Sequence, residues 1–333
     1  MRDYVKHIDA ISKPSRISDL QARMRTETRY VSMDQARIIT RVYRETEGEP
    51  TSIRRARSLA AALREMPIRI DPGELVVGNR TPGVRAGVVF PEGGISWVND
   101  ELETLPTRPQ DRFEVLQEDI RYFRDELYPY WKGKTLEDVV DAEVGNETRA
   151  MARVVKVNQK DHAQGHICPN TAKWLALGPS GLIGEARAAA EKSGDPNRFF
   201  EGVIETLEAS RDFMRRYGAR AEQMARSDPE GDGERSHLLE VARICSKLAE
   251  TPAETFHEAL QSVWFLYVIL HMESNASSFS PGRMDQYLYP YFRHNVDSGV
   301  LSLERALELI ESLWLKFNQI VYLRNSGGAK YFA

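Results

Sequence analysis

Two polar segments of the chain carry side chains that could bind a polar substrate. The first, NQKDHAQGHICPN at residues 158–170, holds ammonium, amide and imidazole groups in Lys160, Gln164 and His166. Such groups orient a polar ligand through hydrogen bonds without being consumed, so the segment is typical of a pocket wall. The alternative is that it forms an ordinary surface loop.

The second segment, HMESNASSFSPGRMDQYLYP at residues 271–290, places six polar side chains within the eight residues 273–280. It follows an apolar stretch that must be buried, and buried polar groups need hydrogen-bonding partners. Either these groups satisfy one another and the backbone, or they face a ligand. We expect Ser277 and Ser278 to face a cavity, while Arg283 and Asp285 pair inside the segment and hold it.

A metal site is the first alternative chemistry for the middle segment. His162 and His166 are four residues apart, which on a helix would place both on one face. Gly165 and Pro169 argue against a helix here, and no glutamate follows His162 as in a zinc-peptidase motif. We therefore predict no metal site.

Nucleophilic catalysis by cysteine is the second alternative. Cys168 lies two residues from His166, which could lower its pKa, but no third orienting group is evident. Cys245 lies in an apolar helical pattern and is predicted to belong to the core. Neither cysteine sits in a CxxC pair, which suits a reducing cytoplasm.

Composition excludes several other classes of protein. The 333 residues carry a net charge of −4 with a pI near 6.1, so no charge excess indicates a nucleic acid or an anionic membrane as partner. The N-terminus lacks the apolar region of a signal peptide, and the most apolar stretch, Val263–Leu270, is too short to span a bilayer.

Hydrophobic periodicity predicts a mostly helical chain that forms one continuous domain after a basic, polar extension at residues 1–30. Two short strands or extended segments are expected at Leu75–Val77 and Gly87–Phe90, where β-branched runs alternate with turn residues. Ser32 and Gln35 predict a capping box for the first helix. The predicted helices are Ser32–Glu47, Ser52–Glu65, Ile95–Leu102, Pro109–Glu126, Thr135–Asp141, Ile183–Lys192, Pro196–Met224, Gly233–Ala249, Ala253–Leu270, Asp285–Asn295 and Leu303–Ile320.

Five stretches resemble glycyl radical enzymes of the pyruvate formate-lyase family. HMESNASSFSPGRMDQYLYPYF is similar to a family segment written approximately ESNGHSxSxGRxDQYxYPYY. DPGELVVGNR resembles the family's DxELIVGN stretch, and VVFPEGGISWVNDELETLPTRPQDRF resembles its FPE…W…EL run. NQKDHAQGHICP resembles a polar segment ending in GH, and LWLKFNQIVYLRN resembles a helix entering a barrel strand. The matches run in family order from about Ser32 to the last residue.

The resemblance implies an α/β fold, in which this chain is the N-terminal, largely helical part of a ten-stranded barrel. Two finger loops meet inside such a barrel, one with a cysteine and one with a glycine. It further implies that an activating enzyme, using S-adenosylmethionine and an iron–sulfur cluster, installs a glycyl radical that then forms a thiyl radical. Glycine suits this role because, without a Cβ, its Cα radical can be planar. No other cofactor is implied, and a cytoplasmic homodimer in anaerobic metabolism is expected.

Neither finger loop occurs within these residues, and Cys168 and Cys245 do not align with the thiyl cysteine. We therefore assign no catalytic residue to the chain and expect both radical residues downstream. On this interpretation residues 31–333 are a family domain that is incomplete at its C-terminus and inactive alone. A non-catalytic helical binding module derived from the fold is the alternative.

The resemblance also bears on the substrate. Glycerol and propanediol dehydratases have a His-Ser pair where this chain has Ser277 and Ser278. Isethionate sulfite-lyase-like enzymes bind a sulfonate with a cation and an amide four residues apart, a spacing that Lys160 and Gln164 share. We expect a dehydratase or lyase that cleaves a C–O, C–S or C–N bond of a small oxygenated substrate, with His166 also lining the pocket. Formate C-acetyltransferase and arylacetate decarboxylase activities are the alternatives.

Overall fold

The computed structural model describes residues 15–152, 154–155, 166–195, 197–227, 231–275 and 278–329. Within these ranges the chain is mostly helical, as predicted, and regular strands are limited to β1 (Val31–Ser32) and β2 (Gly87–Val88). The first helices are α1 (Ser15–Thr26), α2 (Asp34–Glu45), α3 (Thr51–Glu65), α4 (Ser96–Glu101), α5 (Gln117–Tyr122), α6 (Tyr128–Trp131), α7 (Leu136–Glu143) and α8 (Asn146–Ala152). The remaining ones are α9 (Thr171–Ser193), α10 (Phe199–Arg226), α11 (Asp232–Glu250), α12 (Phe256–Ser274), α13 (Met284–Tyr287), α14 (Tyr289–Asp297), α15 (Leu303–Gln319) and α16 (Ser326–Ala329). A π-helical turn at Phe123–Leu127 joins α5 to α6.

Helix α12 lies in the centre of the larger hydrophobic cluster. A capping box fixes its start, because the Thr255 side chain accepts from the Glu258 N–H and the Glu258 side chain accepts from the Thr255 N–H. Its residues are buried on nearly every side, which explains why the sequence reads as apolar without helical periodicity. Phe265 packs there against Phe213 and Tyr217 of α10, and Trp264 packs against Phe317 of α15.

A smaller cluster surrounds the two short strands. β1 and β2 pair in parallel, with Val31 opposite Gly87 and Ser32 opposite Val88. Buried side chains of α2, α4 and the π-helical turn cover this pair, with Phe113 and Phe123 fully enclosed. The pairing confirms part of the extended segment predicted at Gly87–Phe90.

Leu75–Val77, predicted as a short strand or an extended segment, forms no strand, because its backbone pairs with side chains of α12 instead of another strand. His257 bonds the Leu75 carbonyl through Nε2 at 2.7 Å, and Trp264 Nε1 donates to the Gly78 carbonyl at 2.8 Å. Between them Gln261 both accepts from the Val77 N–H and donates to its carbonyl. The side chains of His257, Gln261 and Trp264 lie at i, i+4 and i+7 on one face of α12. They hydrogen-bond the backbone N–H and carbonyl groups of Leu75–Gly78 that a neighbouring strand would otherwise pair.

Details of several predicted helices are also wrong, among them the start of α9, which lies at Thr171 instead of Ile183. Helix α2 is preceded by Met33 without a side-chain cap, because Gln35 turns inward and donates to the Met272 carbonyl at 2.5 Å. The helix predicted from Pro109 begins at Gln117, after a stretch that side-chain and backbone hydrogen bonds hold in turns.

The helix predicted at Asp285–Asn295 is divided into α13 and α14, with Pro290 in the first turn of the second. Proline is compatible with a first turn because the N–H that it lacks would be unpaired there.

Two contacts tie the termini of the described chain to its centre. Helix α1, from the predicted extension, packs on α15 and buries Ile17. Lys316 of α15 is buried and donates to Glu74 at 2.8 Å and Asn79 at 2.7 Å, which supplies the counter-ion that a buried ammonium group requires. The domain boundary at residue 30 stays a prediction. No helix in the described part of the chain is long and apolar enough to cross a membrane.

Candidate functional site

The two polar segments, far apart in the sequence, lie side by side in the fold. The Ser280 N–H donates to the Ile167 carbonyl at 2.8 Å. Gly282, with φ of 72°, approaches Cys168 so closely that a Cβ at this position would lie 2.9 Å from the sulfur. The close approach therefore requires glycine here. We call residues 166–170 and 278–283 the paired loops.

The structure describes two of the five predicted substrate-binding residues, His166 and Ser278. Both side chains are exposed, and both residues have a left-handed backbone, with φ of 53° and 69°. Non-glycine residues adopt this conformation at a cost and are found preferentially at functional sites. Lys160, Gln164 and Ser277 lie outside the described residues, so the whole set stays a prediction.

The predicted pair of Arg283 and Asp285 forms, with nitrogen–oxygen distances of 2.9 and 2.7 Å. The pair lies at the surface, since the two side chains are 69% and 64% exposed. An exposed ion pair contributes little stability, since water competes for both charges. Its role in holding the loop stays a prediction.

The two cysteines differ in their surroundings. Cys168 is exposed within the paired loops, whereas Cys245 is buried in α11, which confirms the predicted core position. Burial raises the pKa of the Cys245 thiol, so this residue is held protonated. No cluster of three or more metal-ligating side chains occurs in the residues that the structure describes.

Sequence reasoning missed the residues that hold the Glu-Ser-Asn motif at the end of α12. Arg55 donates to the carboxylate of Glu273 and, at 3.1 Å, to its carbonyl oxygen. The same guanidinium lies 3.3 Å from the carboxylate of Glu92, which also accepts from the Tyr43 hydroxyl. Burial raises the pKa of Glu92, and the nearby Arg55 opposes that shift. The first residue of the motif is thus held from α3 and from the FPE stretch.

Asn275, the last residue of the motif, is held by Arg80. Asn275 ends α12 in the left-handed conformation with φ of 48°, and its side-chain oxygen accepts from Arg80 at 2.6 Å. Arg80 also donates to the carbonyl of Val321, in the extended segment that follows α15. The motif, the end of DPGELVVGNR and the segment after α15 therefore meet at one guanidinium group.

His271 lies beside this junction and is held as a neutral donor–acceptor. The Tyr267 carbonyl can only accept, so Nδ1 carries the proton at 2.7 Å and Nε2 accepts from the Tyr322 hydroxyl at 2.8 Å. Burial, together with the charge of Arg80, lowers the pKa of His271 to about 3. His271 is therefore neutral at neutral pH and acts as a hydrogen-bond acceptor for Tyr322.

Only some of the residues that hold the Glu-Ser-Asn motif could have been found from the sequence. Arg80 and Glu92 belong to stretches that carry the family resemblance, and an arginine in an otherwise apolar stretch indicates a specific partner. Arg55 and Tyr322 lie in ordinary helical and extended patterns. Nothing in their spacing predicts their partners.

Comparisons with known proteins identify the same set of relatives. A sequence model of the family described as pyruvate formate lyase-like matches residues 9–333. The chain is 32% identical over 314 residues to the probable dehydratase YbiW of Escherichia coli (strain K12), and this alignment covers 90% of this chain and 38% of that protein. It is 28% identical over 338 residues to (2S)-3-sulfopropanediol dehydratase of Klebsiella oxytoca, with 97% of this chain and 41% of that protein covered.

A solved structure agrees with these sequence matches. The glycerol-bound form of the B12-independent glycerol dehydratase from Clostridium butyricum superposes with a TM-score of 0.91 at 34% identity. The match covers 97% of this chain and 42% of the dehydratase. The chain thus spans about 40% of the length of the relatives that it matches.

Proposed function

We propose that this chain, which belongs to the pyruvate formate lyase-like family, forms the N-terminal portion of a glycyl radical enzyme. The reaction is cleavage of a C–O, C–S or C–N bond in a small oxygenated substrate. Support for this reaction class comes from the relatives, which include a dehydratase of glycerol and a dehydratase of a sulfonated diol. The ten-stranded barrel belongs to the same proposal.

The observation that carries the proposal is the contact between the paired loops. They bring His166 and Ser278, 112 positions apart in the sequence, onto neighbouring backbone segments joined by the Ser280–Ile167 hydrogen bond. Both side chains are exposed. An imidazole and a hydroxyl on adjacent loops match the hydrogen-bonding needs of a polyol.

In the proposed site these residues bind and orient the substrate. His166 and Ser278, with Gln164 and Ser277, exchange hydrogen bonds with substrate hydroxyl groups, while Lys160 offers a point charge to an anionic group. The thiyl cysteine and the radical glycine, expected beyond these residues, supply hydrogen abstraction. We include in the proposal a cytoplasmic homodimer that is activated by a radical S-adenosylmethionine enzyme.

Electron paramagnetic resonance on the gene product that contains this chain tests the proposal. The protein is incubated without oxygen with a radical S-adenosylmethionine activase, S-adenosylmethionine and a reductant. The expected result is a glycyl radical doublet, followed by loss of water or sulfite from one member of a panel of diols, hydroxylated acids and hydroxyalkyl sulfonates. Absence of the doublet from a sample with an active activase would refute the proposal, and formation of acetyl-CoA from pyruvate would refute the reaction class.

Substitutions in the paired loops test the binding residues. We expect His166→Ala or Ser278→Ala to lower kcat/KM roughly 10- to 100-fold, the value of one or two lost substrate hydrogen bonds, with an unchanged doublet. His294→Ala is the matched control, because His294 is an exposed histidine on α14 outside the loops. If all three variants behave alike, the paired loops do not bind substrate.

A further inference from the structure

Arg80 makes an unusual set of contacts for a buried charged residue. Only 3% of it is exposed, yet its hydrogen-bond partners are the neutral oxygens of Asn275 and Val321. Its guanidinium carbon also lies 5.4 Å from the centre of the Tyr322 ring, a weak cation–π contact. Its Nε group has no hydrogen-bond partner within the described part of the chain.

This arrangement is costly for the folded state. Burial lowers the pKa of Arg80 to about 10, which still leaves the group charged at neutral pH. No carboxylate in the described ranges pairs with it, since the ionisable groups that act on it are Tyr322 and Tyr267. A buried charge without a counter-ion destabilises a protein unless hydrogen bonds compensate. A neutral side chain would fill the same space at a lower cost, so the charge has a specific use.

That use is indicated by the place of Asn275 in the chain. Asn275 ends α12, its N–H donates to the His271 carbonyl at 3.1 Å, and its left-handed backbone lies three positions before Ser278. Asparagine tolerates this conformation better than most residues, but it adopts others as readily. The hydrogen bond from Arg80 to the Asn275 side chain selects one orientation of Asn275. The hydrogen bond from Arg80 to Val321 fixes that orientation relative to the segment after α15.

We propose that Arg80 is a positioning residue, which fixes the direction in which the 278–283 loop leaves α12 relative to the segment after α15. The proposal rests on the proposed function, in which Ser278 orients the substrate. Reacting groups that move by about 1 Å lose up to roughly 100-fold in rate, so loop direction matters more for turnover than for binding.

The test compares variants of the gene product that contains this chain. We expect Arg80→Met and Asn275→Leu each to lower kcat roughly 10- to 100-fold while KM changes by less than about threefold. The double variant should lose no more than Arg80→Met alone, because that substitution already removes the hydrogen bond to Asn275 together with the one to Val321. Asn275→Asp keeps an acceptor for the guanidinium and should retain most of kcat.

Arg216→Met is the matched control. Arg216 donates to the carbonyls of Leu63 and Met66 at 2.7 and 2.6 Å, so it resembles Arg80 in its chemistry but lies on α10. Its replacement should lower thermal stability without changing kcat of the folded enzyme. An equal loss of kcat in this control, or additive losses in the Arg80 and Asn275 variants, would overturn the proposal.

Hydrogen exchange separates this proposal from the proposed function. Arg80→Met and Asn275→Leu should both speed exchange of the amides in 278–283 and leave those of α10 unchanged. If the wild-type protein forms no radical, the proposed function fails, and the exchange rates alone decide whether Arg80 positions the loop. Unchanged exchange in 278–283 for both variants would refute the role of Arg80.

Discussion

Replacing Gln261 by leucine removes both hydrogen bonds that α12 makes to Val77. Gln261 is 1% exposed, and its amide lies 2.7 Å from the Val77 carbonyl and 2.8 Å from the Val77 nitrogen. Leucine has a similar volume but no polar atom, so the variant retains the packing and loses only the pairing. The N–H and the carbonyl of Val77 are then left buried without partners.

The cost follows from the number of groups left unpaired. Each unsatisfied buried backbone group costs about 1–3 kcal/mol, so the pair costs about 2–6 kcal/mol. The neighbouring bonds of His257 and Trp264 remain, which favours a local effect over global unfolding. At the lower limit of about 2 kcal/mol, local opening of this segment becomes roughly 30 times more frequent.

Amide hydrogen exchange of a peptide spanning Leu75–Gly78, measured in the gene product, checks this value. The variant should exchange roughly 30 times faster or more in this peptide, while peptides of α10 keep their protection. Gln223→Leu is the control, because Gln223 is an exposed glutamine within α10 and its replacement removes no buried hydrogen bond. Unchanged protection of Leu75–Gly78 would show that the α12 side chains do not replace a strand partner.

Two further substitutions test other parts of the fold. Gly78→Ala should lower the free energy of unfolding by about 2–4 kcal/mol in chemical unfolding, because Gly78 has φ of 132° and a Cβ would lie 3.0 Å from Trp264 Nε1. Gly48→Ala is the control: Gly48 has φ of 85° and open space around it, so the substitution introduces backbone strain alone and should cost less. Burial raises the pKa of Glu258, but hydrogen bonds from Lys247 and nearby groups outweigh this effect and lower the pKa from 4.5 to about 2. The stabilising contribution of the carboxylate is therefore present above pH 4.5 and is lost as pH falls toward 2. Glu258→Gln should therefore cost about 2 kcal/mol at neutral pH, with a gap to wild type that narrows below about pH 4.5 in urea unfolding, and a gap that is constant with pH would contradict this assignment.

The sequence determined the family and most of the helices. The motifs from DPGELVVGNR to GRMDQYLYPYF can be read residue by residue, and helical periodicity is a local property that survives without knowledge of contacts. Helices α2, α3, α10, α11, α12 and α15 were therefore predicted within a few residues, and Cys245 was correctly placed in the core. Helix α1 and the first half of α9 were missed. Local signals also explain the errors, since Gln35 has the spacing of a capping residue but bonds the Met272 carbonyl instead.

Only the tertiary structure decided what the motif residues contact. Arg80 meets Asn275 and Val321 across 195 and 241 positions of sequence, and no local pattern indicates which of the polar groups in the chain will share a buried site. The same holds for α12, whose side chains replace a strand as partner of Leu75–Gly78. A buried polar group must be paired, but its partner is whichever group the packing of distant segments brings within about 3 Å.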